Sequence, residues 1–257
     1  MKDTKQIFQK DYEIHSYEVL KDQRLNPVRL VDYLNDIAGQ HSESLGYSMK
    51  DLFEKDCSWI VLSWNLCISR LPYLRSKIHI ETWVSQVKRS FAYREFLLKD
   101  DNEIFCKASS LWLFYHITKH RPVKIPLELV NLWILNREIS CPESIIESDL
   151  FERKDFIYEE FDYTVEKQDI DILNHVHNSR YIGWIINSKP DHLKKDYSLK
   201  HLQISYHHEI KYPAQVIVQQ KIFPRLNRRQ YFIKDEICDR EKEIIFSEVV
   251  TQWDLSE

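Results

Sequence analysis

The chain has 257 residues, 43% hydrophobic and 13% aromatic, with a formal net charge of −4. That apolar content excludes a disordered chain and suits one large or two modest domains, and the charge argues against general nucleic-acid binding. Only three glycines occur, at 39, 46 and 183, which excludes Gly-rich phosphate loops and dinucleotide fingerprints, whose backbone must approach phosphate closely.

The start, Met1 to Asp11, lacks the continuous apolar stretch of a signal peptide. No window reaches the ~18 uninterrupted apolar residues of a membrane span. Asn26-Pro27 reads as N-cap and first helical residue. Leu30, Val31, Leu34, Ile37, Ala38 and Leu45 then follow helical spacing, and Gly46 is a stop. Strand-like runs come next at 59–68, 77–87, 91–100 and 103–116, several alternating with period two. Residues 126–155 read as a connector with a short helix near 127–135. A nearly all-apolar helix is expected at 178–187, followed by strands at 201–212, 214–223, 230–238 and 243–253. Helix then four strands, stated twice, predicts an α+β fold: a tandem hot-dog, each half an antiparallel sheet wrapped around a central helix. The expected halves are 1–125 and 156–257. Five cysteines, an odd number with no Cys-x-x-Cys pair, suggest free buried thiols and a cytoplasmic setting.

The richest chemistry lies between Asp169 and Trp184. Asp169, Asp171, Asn174, His175, His177 and Asn178 run directly into the apolar helix, so groups able to move protons stand at its entrance. The first N–H groups there, at Val176, His177 and Asn178, could stabilise an oxyanion. Glu209 falls on the polar face of the alternating run 202–210, a reasonable place for a general base. Ordinary roles compete: a His at a helix start also caps or sits satisfied in a core, and a strand Glu is often simply solvated. His41, at core spacing, reads as structural. His175-x-His177 and His207-His208-Glu209 offer zinc ligands on paper, but adjacent strand histidines point to opposite faces and no His-Glu-x-x-His is present. No metal or cofactor is expected. No Gly-x-Ser-x-Gly elbow occurs either.

The spacing from Asp171 through His175 to Tyr181-Ile-Gly183-Trp184 resembles the active-site segment of the acyl-acyl carrier protein (acyl-ACP) thioesterases. In that family an Asp, an Asn and a His fall at alternate positions; Leu173 stands where the Asn belongs. Trp59 to Pro72, Ile80 to Val84, Tyr93 to Phe96, Ala108 to Trp112, His120 to Pro126 and Ser205 to Glu209 resemble further family segments in order, so the likeness covers nearly the whole chain. The resemblance implies hydrolysis of fatty acyl-ACP by Asp171, Asn174, His175 and Glu209. Asn174 is the nearest substitute for the missing amide, and acyl selection would fall in the first half around Leu34, Ile37 and Ala38. The implied partner is an acidic carrier protein with a phosphopantetheine-linked acyl chain, with a homodimer left open and no nucleic acid or membrane. Lys88-Arg89, Lys119 to Lys124 and Arg225 to Arg229 are basic patches that could meet it. The resemblance also implies a bacterial-type cytosolic enzyme. An acyl-CoA thioesterase, or a hot-dog protein that binds acyl chains without turnover, remains an alternative.

Overall fold

The computed structural model describes residues 7–133, 138–141, 152, 154–224 and 229–256. The chain divides into two units, Met1–Pro142 and Glu143–Glu257. The first contains β1 (Phe8–Glu13), α1 (Pro27–Ser44), α2 (Met49–Glu54), β2 (Cys57–Ile68), β3 (Lys77–Lys88), β4 (Phe91–Asp100), β5 (Glu103–His116), β6 (Arg121–Pro122) and α3 (Leu127–Trp133). Its strands pair antiparallel in the order β1-β3-β4-β5-β2, with β6 on β5. The second contains β7 (Ile157–Thr164), α4 (Asn178–Asn187), α5 (Asp191–Asp196), β8 (Tyr197–Tyr206), β9 (Gln215–Pro224), β10 (Gln230–Asp239) and β11 (Ile245–Leu255). Its order is β7-β9-β10-β11-β8, again antiparallel. Counted within each unit, both sheets run first, third, fourth, fifth, second. Each therefore has a long helix between its first two strands, the arrangement expected of a tandem hot-dog.

Local chemistry sets the ends of these elements. Asn26 Oδ1 accepts the Val28 N–H (3.0 Å), Pro27 occupies the first turn, and Gly46 leaves α1 at φ +79°. The α1 stripe Leu30, Val31, Leu34, Ile37 and Ala38 is buried, as expected from its spacing. Asp101 and Asn102, both at positive φ, form a tight hairpin turn between β4 and β5. Leu129 and Trp133 of α3 join Ile125, Val84 and Phe114 in one core, which ties the start of the connector to the first unit. The expected helix at 127–135 thus begins as predicted; 134 and 135 lie outside the described residues.

Three expectations need correction. Each helix is preceded by a strand, β1 or β7, that the four-strand reading omitted. β8 spans Tyr197–Tyr206 rather than 201–212, because the His207 and His208 N–H groups both turn to Phe246 O (2.8 and 3.2 Å) and end the ladder. Not all the thiols are free: Cys67 of β2 is disulfide-bonded to Cys141, leaving Cys57, Cys106 and Cys238. The Ser140 N–H donates to Glu95 Oε2 (3.1 Å) and its hydroxyl to Ala108 O (2.6 Å), which brings the neighbouring Cys141 against β2. Among the described residues, no helix is long and apolar enough to cross a membrane.

Candidate active site

A short 3-10 turn, Lys167–Asp169, leads from β7 toward α4. Ile170 and Val176 then form a lone antiparallel bridge, and the five residues between them close a tight loop. The Asp171 N–H donates to His175 O (2.8 Å), and the Asn174 N–H to Asp171 O (3.1 Å). Asp171 Oδ1 accepts both the Leu173 N–H (2.8 Å) and the His175 N–H (3.2 Å). Asn174 holds φ at +64°, a conformation its short amide side chain tolerates better than most. Asp171 thus organises the loop, and His175 is presented from its end, two residues before the helix N-cap at His177.

The partner of His175 comes from the segment after β8. Ile210 is buried, its C=O accepts the Val176 N–H (2.8 Å), and its backbone also bonds the buried Tyr181 hydroxyl. Burial raises the Tyr181 phenol pKa, so it stays protonated. Pinned at Ile210, the chain directs Glu209 at the loop: Glu209 Oε2 lies 2.9 Å from His175 Nε2. The other oxygen, Oε1, lies 2.9 Å from Lys211 Nζ. The His175 side chain is 28% exposed and that of Glu209 51%, so water reaches both. Glu209 also borders an open groove of about 700 Å³ lined by His207, His208, Ile244, Phe246 and Glu248.

His175 and Glu209 are therefore brought together, with Asp171 bonded to the same loop. Glu209, however, lies past the end of β8 rather than on a strand face. The oxyanion expectation is corrected for two of its three donors, since the Val176 N–H is bonded to Ile210 O and the His177 N–H to Asp169 O (2.8 Å). Asn178 begins α4. Asn174 is exposed, and its role visible here is conformational. Among the described residues no group of three His, Cys, Asp or Glu is placed to hold a metal. Lys211 was missed by the sequence reading; its position two residues from Glu209 was the available signal. Of the basic patches, the segments that carry Arg89 and Lys124 adjoin, because the Ile125 N–H donates to Arg89 O (3.0 Å). Residues 225–228 lie outside the described residues.

The first unit builds the same loop without the chemistry. After its 3-10 turn, Ser16–Glu18, Val19 bridges Leu25, the Leu20 N–H donates to Arg24 O (2.8 Å), and the Gln23 N–H donates to Leu20 O (2.9 Å). Gln23 has φ +66°, and the Leu25 N–H donates to Pro72 O (2.8 Å). Matched bond for bond, Leu20 falls at Asp171, Arg24 at His175, Leu71 at Glu209 and Tyr73 at Lys211. The frame is duplicated, whereas the dyad occurs once.

Family models place this duplication. Residues 5–133 match the acyl-ACP thioesterase N-terminal domain and residues 153–255 the acyl-ACP thioesterase C-terminal domain. The chain belongs to the acyl-ACP thioesterase family. It is 26% identical over 214 residues to a chloroplastic palmitoyl-acyl carrier protein thioesterase of Arabidopsis thaliana, covering 79% of this chain and 52% of that one. It spans about half the length of the curated relatives it matches. A crystal structure from Lactobacillus plantarum, provisionally assigned as an oleoyl thioesterase, aligns with TM-score 0.84 and 25% identity over 98% of this chain and 97% of its own. A crystal structure of an acyl-ACP thioesterase from Bacteroides thetaiotaomicron aligns over 99% of this chain and 100% of its own, with TM-score 0.80 and 19% identity, and supports the double hot-dog fold. The family's C-terminal domain is the one that holds His175 and Glu209.

Proposed function

We propose that this acyl-ACP thioesterase family member hydrolyses the thioester of a fatty acyl-acyl carrier protein, releasing free fatty acid and ending chain elongation. The observation that carries the reading is the 2.9 Å contact between His175 Nε2 and Glu209 Oε2, on a loop whose twin in the first unit has neither group. With Nε2–H donated to the carboxylate, Nδ1 of the neutral ring is the acceptor. It takes a proton from water as the oxygen attacks the thioester carbon. The tetrahedral oxyanion then collapses, the C–S bond breaks, and the imidazolium returns the proton to the leaving sulfur, giving acid and pantetheine thiol. Asp171, through its two backbone contacts, keeps the loop in register.

Turnover measured on matched acyl-ACP and acyl-CoA substrates tests the reading. His175→Ala and Glu209→Gln are each expected to lower kcat by about 10²-fold or more while retaining the fold. Wild-type turnover surviving in both variants would refute it. Leu173 in place of the family amide favours one second reading, a slow hydrolase or an acyl-binding protein. Tight acyl-ACP binding without product release in the same assay would establish that alternative.

A further inference from the structure

Glu209 is held from two sides. His175 Nε2 meets one carboxylate oxygen and Lys211 Nζ meets the other, each at 2.9 Å. We propose that Lys211 is a positioning residue for hydrolysis: it fixes the Glu209 carboxylate so that its free edge faces His175, and thereby fixes which ring nitrogen of His175 carries the proton. The proposal rests on the reading of His175 as the base.

An exposed ion pair ordinarily does little, because solvent weakens the attraction and two mobile side chains lose freedom in forming it. This pair is built differently. Ile210, between the two charged residues, is buried and tied through its C=O to Val176 and through its backbone to Tyr181. Glu209 and Lys211 flank this anchor on either side and their charged ends meet at 2.9 Å, so much of the ordering is done by the fold before the pair closes.

Position supports the assignment a second time. In the first unit, where Arg24 stands at the His175 position, Pro72 repeats the Ile210 anchor, since its C=O accepts the Leu25 N–H. Its flanking residues are Leu71 and Tyr73, so the carboxylate and the ammonium are absent together where the imidazole is absent. With Lys211 neutralised, Glu209 can turn to solvent or offer either oxygen. Nothing then holds the Nε2–H tautomer of His175.

The experiment combines ring-nitrogen NMR of His175 with steady-state kinetics on acyl-ACP. Wild type is expected to show the Nε2-protonated tautomer, Lys211→Met a mixture of tautomers, and Lys211→Arg the wild-type signature. In kinetics, Lys211→Met should lower kcat about fivefold with KM held, the scale of one modest orienting contact, and Lys211→Arg should restore it. On a Glu209→Gln background, Lys211→Met should have no further effect. Unchanged tautomer and kcat in Lys211→Met would overturn the proposal. So would a raised KM at constant kcat, which would make Lys211 a contact for the carrier instead. If wild type releases no fatty acid yet the tautomer still responds to Lys211, the hydrolytic reading falls and the positioning of Glu209 stands.

Discussion

Leu173 stands where the family amide is expected, and its neighbour Asn174 holds a left-handed backbone. At +64° the backbone of Asn174 sits where most side chains crowd the chain, and Gln23 adopts the same conformation in a loop with no catalytic groups. The shared conformation, rather than the amide, is what position 174 requires. Asn174→Gly should therefore keep both turnover and stability near wild type. Asn174→Ala should cost ~1 kcal/mol of unfolding free energy in a urea titration, with kcat changed less than twofold. A collapse of kcat in Asn174→Gly would instead assign the amide a chemical role. Leu173→Asn should raise turnover by ~10-fold if hydrolysis is limited by the missing amide, the scale of one hydrogen bond. The pairing of His175 with Glu209 was suggested in the sequence by the family spacing, whereas the strand alternation that singled out Glu209 ends at Tyr206. Lys211 was not legible there, since its ion pair depends on the buried anchor at Ile210. Nor could sequence show that the Val176 and His177 N–H groups are bonded to Ile210 and Asp169.

Helix α4 is anchored at its far end by a buried ion pair. Lys189, just beyond the helix, places Nζ 2.6 Å from Asp235 Oδ2 of β10, both side chains fully buried. Gln220 of β9 donates to the other Asp235 oxygen (2.9 Å). Burial lowers the Lys189 pKa and raises that of Asp235, while each partner's charge opposes the shift. Lys189→Met leaves a buried carboxylate without its cation and should cost roughly 3–5 kcal/mol. The double variant Lys189→Met/Asp235→Leu should recover much of that loss, as chemical denaturation of both would show. A double-variant loss equal to the sum of the Lys189→Met and Asp235→Leu losses would mean that the residues act independently. Among elements, α1 and α4 were legible to within a residue: in α1 the Asn26 cap and the apolar spacing agree, and in α4, whose N-cap His177 makes no side-chain cap bond, the apolar run alone marks the helix. β1 and β7 were not. Both are edge strands whose alternation exposes Gln9, Asp11 and Glu13, or Glu160, Asp162 and Thr164, so little apolar patterning marks them.

At the scale of the molecule, two buried histidines link folding to pH. Burial, reinforced by the Arg94 charge, pulls His41 down to about 3, and burial pulls His201 down to about 4. Arg94 Nη1 lies 2.9 Å from His41 Nδ1, so protonation there would set cation against cation. The unfolded chain takes up these protons near the ordinary value of ~6.5, and the folded chain resists them. Stability from these groups is thus complete above pH ~6.5 and is lost as pH falls through the interval down to about 3. His41→Gln should flatten the fall in urea midpoint between pH 7 and pH 4; a slope equal to that of wild type would remove His41 from the account. The duplicated loop has a separate consequence for experiment. Since the chain closes one copy with Arg24 and Leu71 at the matching positions, closing the other does not depend on the His175 imidazole or the Glu209 carboxylate. The protein carries its own control: when a substitution at His175 or Glu209 abolishes the proposed turnover, the first unit already argues that chemistry was removed and architecture was left standing.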